Sequence, residues 1–202
     1  QRESVMGRDG EYVFESGYNN KILEFRCSIA KGTIIERRQR VRAIASWLSS
    51  AGDLVLDYEN DKTYKVVKTV SDISLSIEQA WDEFSIAFET EPFQYGGLKT
   101  LSFDNPSTVI VNNQGTYEAE TIISITGTGS VTVSSLAYSF TLTGMTGKLN
   151  LDSKKMLVYS DAKINGISKH SGNFIKLKPG NNTITVTGSV SSMTVKFQDT
   201  YI

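Results

Sequence analysis

The sequence predicts a mostly β protein in two parts. The first is an N-terminal α+β unit, an antiparallel sheet with one helix across it, and the second is a β-sandwich of the jelly-roll kind. Three observations predict this. Only Thr33–Tyr58 carries a helical period, and on either side of it apolar and polar residues alternate as in half-buried strands. Composition also shifts at Tyr95: both tryptophans precede it, and Ser, Thr, Gly and Asn dominate after it. Charge shifts at the same place, from 12 basic and 16 acidic residues in 1–95 (net −4) to 9 and 6 in 96–202 (net +3). The expected domains are therefore 1–95 and 96–202.

Before the helix, Gly7-Arg8-Asp9-Gly10 reads as a turn ahead of a short strand around Tyr12–Phe14. Leu23, Phe25, Cys27 and Ile29 then alternate with Glu24, Arg26 and Ser28, the pattern of a strand with one buried face. In the helix, Val41, Ile44, Ala45 and Leu48 recur at three- and four-residue steps, with Ile34 on the same face. Thr33 and Glu36 have capping-box spacing, and Ala51-Gly52 offers a stop. Arg37, Arg38, Arg40 and Arg42 crowd the same turns, and at about 100° per residue they cannot all share the apolar face. Arg40, Arg42 and Trp47 are expected on its flanks.

Strands are expected at Leu54–Glu59, Tyr64–Val70, Ile73–Ile77 and Trp81–Glu89, with Asn60-Asp61 as a turn and Pro92 ending the last. Ten short strands follow: Leu98–Phe103, Thr108–Val111, Tyr117–Thr126, Ser130–Val133, Tyr138–Leu142, Lys148–Leu151, Met156–Tyr159, Phe174–Lys178, Thr183–Thr187 and Met193–Phe197. Gly127-Thr128-Gly129 is expected at a hairpin tip, and Pro179-Gly180-Asn181-Asn182 as a turn.

The totals exclude several classes. Basic and acidic residues nearly cancel, 21 against 22, so nothing marks a nucleic-acid binder. One cysteine, Cys27, makes no internal disulfide, and with one histidine it leaves no zinc set. No apolar run reaches the roughly 18–20 residues of a membrane helix. The chain begins at Gln1 inside a polar segment and is expected to be part of a longer protein.

Candidate chemistry is sparse. Asp57, Glu59 and Asp61 alternate and could project together toward a cation, though such a row also serves as a solvated strand edge. His170 stands in Lys169-His170-Ser171-Gly172, a polar loop with no neighbouring acid, which suits a solvated residue better than a triad. Tyr138, Tyr159 and Phe174 could stack on sugar rings, but each also sits where a sandwich core wants an apolar residue. Catalytic residues, metal ligands and cofactors are therefore all expected to be none. The alternative reading is a carbohydrate-binding β-sandwich module for host cell-surface glycans.

Gly7-Arg8-Asp9-Gly10, Ser46-Trp47-Leu48, Gly52-Asp53-Leu54 and Phe84-Ser85-Ile86-Ala87-Phe88-Glu89-Thr90-Glu91-Pro92-Phe93-Gln94-Tyr95 come in a telling order. After them stand Asn113-Gln114-Gly115-Thr116-Tyr117-Glu118, Ile123-Ser124-Ile125-Thr126-Gly127, Leu151-Asp152 and Leu177-Lys178-Pro179-Gly180-Asn181-Asn182. Together they resemble the distal tail protein (Dit) family of long, non-contractile-tailed phages and related prophages. Two features depart from it: Glu120 stands near the place of a usual proline, and strands expected before the Gly7–Gly10 turn are missing. The resemblance implies a virion structural protein whose belt domain, 1–95 and N-terminally incomplete, forms a hexameric ring. It implies that 96–202 is a galectin-like sandwich projecting outward. The implied partners are further copies of the chain, the tail tube protein, the tail-associated fibre or lysin protein and a receptor-binding protein. It also implies assembly in the bacterial host cytoplasm and a place at the virion tail tip, with no membrane and no specific nucleic acid bound. Arg40, Arg42 and Trp47 are the expected interface residues, since a ring joins one surface to a different one on its neighbour.

Overall fold

The computed structural model describes residues 2–4, 11–13, 17–29, 32–48, 52–70, 76–77 and 82–202. The expected turn at Gly7–Gly10, the helix stop at Ala51, and the expected strand residues Phe14, Ile73 and Trp81 lie outside them. Contacts divide the chain into two compact units. One holds residues 1–54 and 64–92, the other 55–63 and 93–202.

In the first unit, β1 (Arg2–Ser4) pairs with β2 (Glu11–Val13) as a separate ribbon. Strand β3 (Lys21–Ile29) is followed by helix α1 (Ile34–Trp47), β4 (Asp53–Leu56), β5 (Glu59–Thr69), β6 (Ser76–Ile77) and the long β7 (Asp82–Asp104). The alternation read in β3 turns Leu23, Phe25, Cys27 and Ile29 inward, and the strand pairs antiparallel with residues 82–90 of β7. Phe84, Ile86 and Phe88 face the same way and close the core with Val41 of α1. Phe25 meets Phe88 edge to face at 5.9 Å. Two expectations change here. The β4–β5 turn falls at Asp57-Tyr58, and Asn60-Asp61 are already strand. Strand β7 does not stop at Pro92, because that residue falls between the ladder with β3, which ends at Thr90, and a second ladder that begins at Gln94.

The second unit is a two-sheet sandwich built from the end of β7, β8 (Thr108–Asn113), β9 (Ala119–Ser134), β10 (Ser139–Asp152), β11 (Leu157–Tyr159), β12 (His170–Gly172), β13 (Lys176–Leu177) and β14 (Gly180–Tyr201). Six of the ten short strands expected here are halves of three long ones. β9, β10 and β14 each run through both sheets. In one sheet the order is β7, β14 (from Ser192), β9 (to Thr126), β10 (from Lys148) and β11. In the other it is β8, β14 (to Thr187), β9 (from Val131), β10 (to Leu142) and β12. Ile123, Ile125, Leu151, Met193 and Val195 from one inner face meet Val111, Val131, Val133, Leu142 and Ile184 from the other, all nearly inaccessible to water.

A strand that serves two sheets must bend, and all three bend at one level. Register slips between Leu142 and Met145 in β10, and between Thr187 and Ser189 and again between Val190 and Ser192 in β14. Glycines mark the corner: Gly129 has φ 76°, Gly144 φ 61°, Gly147 φ 132° and Gly188 φ 108°. Such angles cost other residues strain. Gly127-Thr128-Gly129 is thus a bend inside β9 and not a hairpin tip. The corner is also tight, since a Cβ on Gly188 would run into the Ser130 carbonyl and one on Gly127 into that of Ser189.

This predicts an order among corner variants in urea melts. Gly188→Ala adds collision to strain and is expected to cost about 3 kcal/mol. Gly129→Ala meets nothing within 4 Å and should cost only about 1 kcal/mol. Equal losses would contradict the close-packed corner.

Candidate interface surface

Helix α1 starts as its sequence requires. The Thr33 hydroxyl accepts from Glu36 N at 3.3 Å, and the Glu36 carboxylate accepts from Thr33 N at 2.7 Å. The bond from Thr33 N first, and then one donated to the carboxylate by the Thr33 hydroxyl at 3.1 Å, hold the Glu36 carboxyl below its ordinary 4.5. At the other end Thr69 Oγ1 donates to the Leu48 carbonyl at 2.6 Å, tying the helix to β5.

The face that α1 turns inward differs from the expected stripe. Val41 is buried, and Ile44 and Leu48 are half-buried, but Ala45 and Ile34 are exposed. Arg37 takes the remaining place, 4% exposed, its Nη1 donating to the Gly32 carbonyl at 3.2 Å. Residues 37, 41, 44 and 48 make the narrow stripe of a packed helix. Arg37 belongs to the core because its position on the helix puts it there and its aliphatic stem can pack.

Arg40, Arg42 and Trp47 are all exposed, Trp47 at 76%. They do not form one patch. Arg40 and Trp47, seven residues apart, lie within about 20° around the helix axis. Glu36 shares their side. Arg42 is about 200° from Arg40 and lies on the other side. An indole exposed to this extent on a folded helix is unusual, since tryptophan is highly buried on average.

The other candidates fall into structural roles. Glu59 accepts from Gln94 Nε2 at 2.7 Å and from Lys62 Nζ at 3.2 Å, and Lys62 also lies 3.5 Å from Asp61. Asp57 is in the turn. Among the described residues no three His, Cys, Asp or Glu side chains gather as a metal site. Tyr138 packs on the sandwich core, and its hydroxyl donates to both oxygens of Glu118 at 2.9 and 3.0 Å. Burial first, and then this bond, push its pKa to about 12. Lys163 Nζ stands 4.5 Å over the ring of Tyr159. Phe174 packs on the core and stacks on His170 at 4.6 Å. None of the three is an open sugar platform.

His170 is not a solvated loop residue. It opens β12, lies between Phe140 and Phe174, and its Nε2 is buried without a partner. Phe174 is four residues away but Phe140 comes from distant sequence on β10, and that second wall is what the local pattern concealed.

Several of the stretches quoted for the resemblance turn out to be joints. Phe93 stacks on Tyr117 at 4.4 Å. Asn113 is buried and closes its loop. Its Oδ1 accepts from Gly115 N, while Nδ2 donates to the carbonyls of Tyr117 and Leu177, each at 2.9 Å. A Cβ on Gly115 would strike Thr200 backbone. Asp199, 3% exposed, accepts from Gln114 N at 2.9 Å and pairs with Lys99 at 2.6 Å. Asn182 likewise closes the turn before β14, donating to the Lys178 carbonyl at 2.7 Å and accepting from Lys178 N at 2.9 Å. Glu120, at the departure from the family pattern, accepts from Ser153 Oγ at 2.6 Å and pairs with Lys176 at 2.8 Å.

Two predictions follow from these placements. Burial lowers the His170 pKa from its ordinary 6.5. Above that value the ring is neutral in both folded and unfolded states. As pH falls below it the unfolded chain takes the proton first, so stability declines until the folded pKa is passed. In melts between pH 7.5 and pH 5 the wild type should therefore lose more stability than His170→Phe, and identical losses would refute the half-buried ring with its buried Nε2. On α1, Val41→Ala should cost about 1–2 kcal/mol of folding stability, by loss of buried methyl groups. Trp47→Ala should stay within about 0.5 kcal/mol of wild type, as surface changes do.

Comparison with known proteins agrees with this architecture. Residues 1–90 match the family model described as the phage tail protein RIFT-related domain. Among solved structures, the crystal structure of the Dit protein (gp 19.1) of SPP1 has the same fold, with a TM-score of 0.78 and 15% identity. The match covers 100% of this chain and 87% of that one, and the SPP1 protein is described as a paradigm of the hub adsorption apparatus in phages infecting Gram-positive bacteria. No curated protein matches the chain in sequence. The chain thus resembles the phage tail protein RIFT-related domain over residues 1–90 and has the fold of the SPP1 Dit protein along its whole length.

Proposed function

We propose that this chain is the distal tail hub, with six copies closing a ring between the tail tube and the tail-tip adhesion apparatus. In this reading residues 1–95 are the ring-forming belt and 96–202 the domain that projects outward. One face of the ring meets the tail tube protein. The other receives the tail-associated fibre or lysin protein, and the outward domains stand where a receptor-binding protein can attach. Assembly takes place in the host cytoplasm, and the finished part sits at the tail tip with the genome passing through the ring.

The observation that carries the ring is Trp47. Helix α1 has already buried the side that its own core uses, yet its outer side carries a 76% exposed indole, with Arg40 close to it around the helix and Arg42 across from it. Tryptophan and arginine are enriched among the residues that dominate binding energy at interfaces. A head-to-tail ring needs such an anchor on one surface and a different receiving surface on the neighbour.

Light scattering of the full-length protein over a concentration series tests this. Six copies, or twelve if two rings stack, are expected, and a monomer at every concentration would contradict the ring. Trp47→Ala should weaken assembly by more than about 1 kcal/mol without unfolding the protomer. Unchanged assembly would remove α1 from the contact.

A further inference from the structure

We propose that the outer face of the sheet containing β8 and β12 is a binding surface for an anionic polyhydroxylated chain, a saccharide or polyol carrying phosphate or carboxylate. The first observation is a row of hydroxyls. Register places Thr108 of β8 beside Thr185 of β14, Thr185 beside Ser134 of β9, and Ser134 beside Ser139 of β10. Paired residues in a ladder project to the same face, at the roughly 4.8 Å separation of strands. The row is exposed or half-exposed throughout, and none of its four hydroxyls makes a hydrogen bond to another described residue. In the row beside it, Thr187, Thr132, Thr141 and Ser171 follow the same order, and there Thr132 and Thr141 bond each other at 2.9 Å. The eight residues include no charge and no large apolar group.

The second observation is a groove at one end of these rows. It encloses about 490 Å³ between the turn at 134–138 and the turn at 178–183, and Ser134, Thr183 and Thr185 lie along it. Two lysines line it and no carboxylate does. Two of its lining groups are engaged with acids: Lys176 pairs with Glu120 at 2.8 Å, and the Tyr138 hydroxyl donates to Glu118. Lys178 is the groove's charge without an ion-pair partner among the described residues.

A ligand that suits these groups must offer many donors and acceptors to hydroxyls and one negative charge to an ammonium. Neutral sugars would want a stacking ring, and the aromatic among the described residues lining the groove, Tyr138, is packed on the core. The recognition is therefore by hydrogen bonds and charge. It is independent of ring assembly, which uses the other unit.

Calorimetric titration of the full chain with three oligomers tests it: glycerol phosphate, galacturonate and neutral dextran. At least one anionic oligomer should bind and dextran should not, and which of the two binds names the acid. Lys178→Gln should weaken binding about tenfold, as expected for loss of a charge-assisted hydrogen bond. Thr185→Val should weaken it as well. Lys196→Gln, an exposed lysine of β14 outside the groove, should leave it unchanged. No binding of either anion, equal binding of dextran, or equal effects of Lys178→Gln and Lys196→Gln would overturn the proposal. Native mass read on each variant separates this from any failure of the ring.

Discussion

The constraint on which the sandwich depends is that β9, β10 and β14 each belong to both of its sheets. A strand so shared cannot be straight, and neighbours can bend together only if their backbones pass very close at the corner. That closeness is what demands Gly127 and Gly188, whose missing Cβ atoms leave room for carbonyls of the adjacent strand. In return, the three strands carry inward-facing residues to both sides of one core, from Ile123 to Val133 on β9 and from Ile184 to Val195 on β14. Packing and hydrogen bonding therefore fail or hold together across the unit.

Rigidity of this kind suits the structural role proposed for the chain. Asp199 and Asn113 are buried polar residues with their bonds made by Lys99, Gln114, Gly115, Tyr117 and the Leu177 carbonyl. A buried polar network whose members are satisfied specifies one arrangement, and loss of any member leaves the others unpaired. Among the described residues no three His, Cys, Asp or Glu side chains gather as a metal site. The features on which the proposals rest are surfaces: the outer side of α1 and the hydroxyl-covered sheet.

Much of this was legible in the sequence. Period-two alternation marks β3 and the strands of the sandwich, and Thr33 with Glu36 marks the start of the helix. Alternation says little, however, about where a strand ends. Glycine-rich stretches such as Thr126–Gly129 read alike whether the chain reverses or only bends, so long shared strands looked like pairs of short ones. Pro92 misled in the same way, because a missing donor matters only where a ladder needs it. His170 was misread for a different reason: residue type suggested water, whereas contact with Phe140 and Phe174 half-buries it. The arginine count left open which of the four would join the apolar face, and position relative to Val41 decides for Arg37. Trp47 was placed correctly on the helix flank, but that Arg42 lies across from Arg40 follows only from taking the helix angles one by one.

The central claim is that this fold closes into a ring through the outer side of α1. An electron cryomicroscopy map of the full-length protein tests it most directly. The account predicts six protomers around a closed ring with Trp47 inside each protomer contact. A ring in which Trp47 faces solvent, or protein that forms no ring, would contradict it.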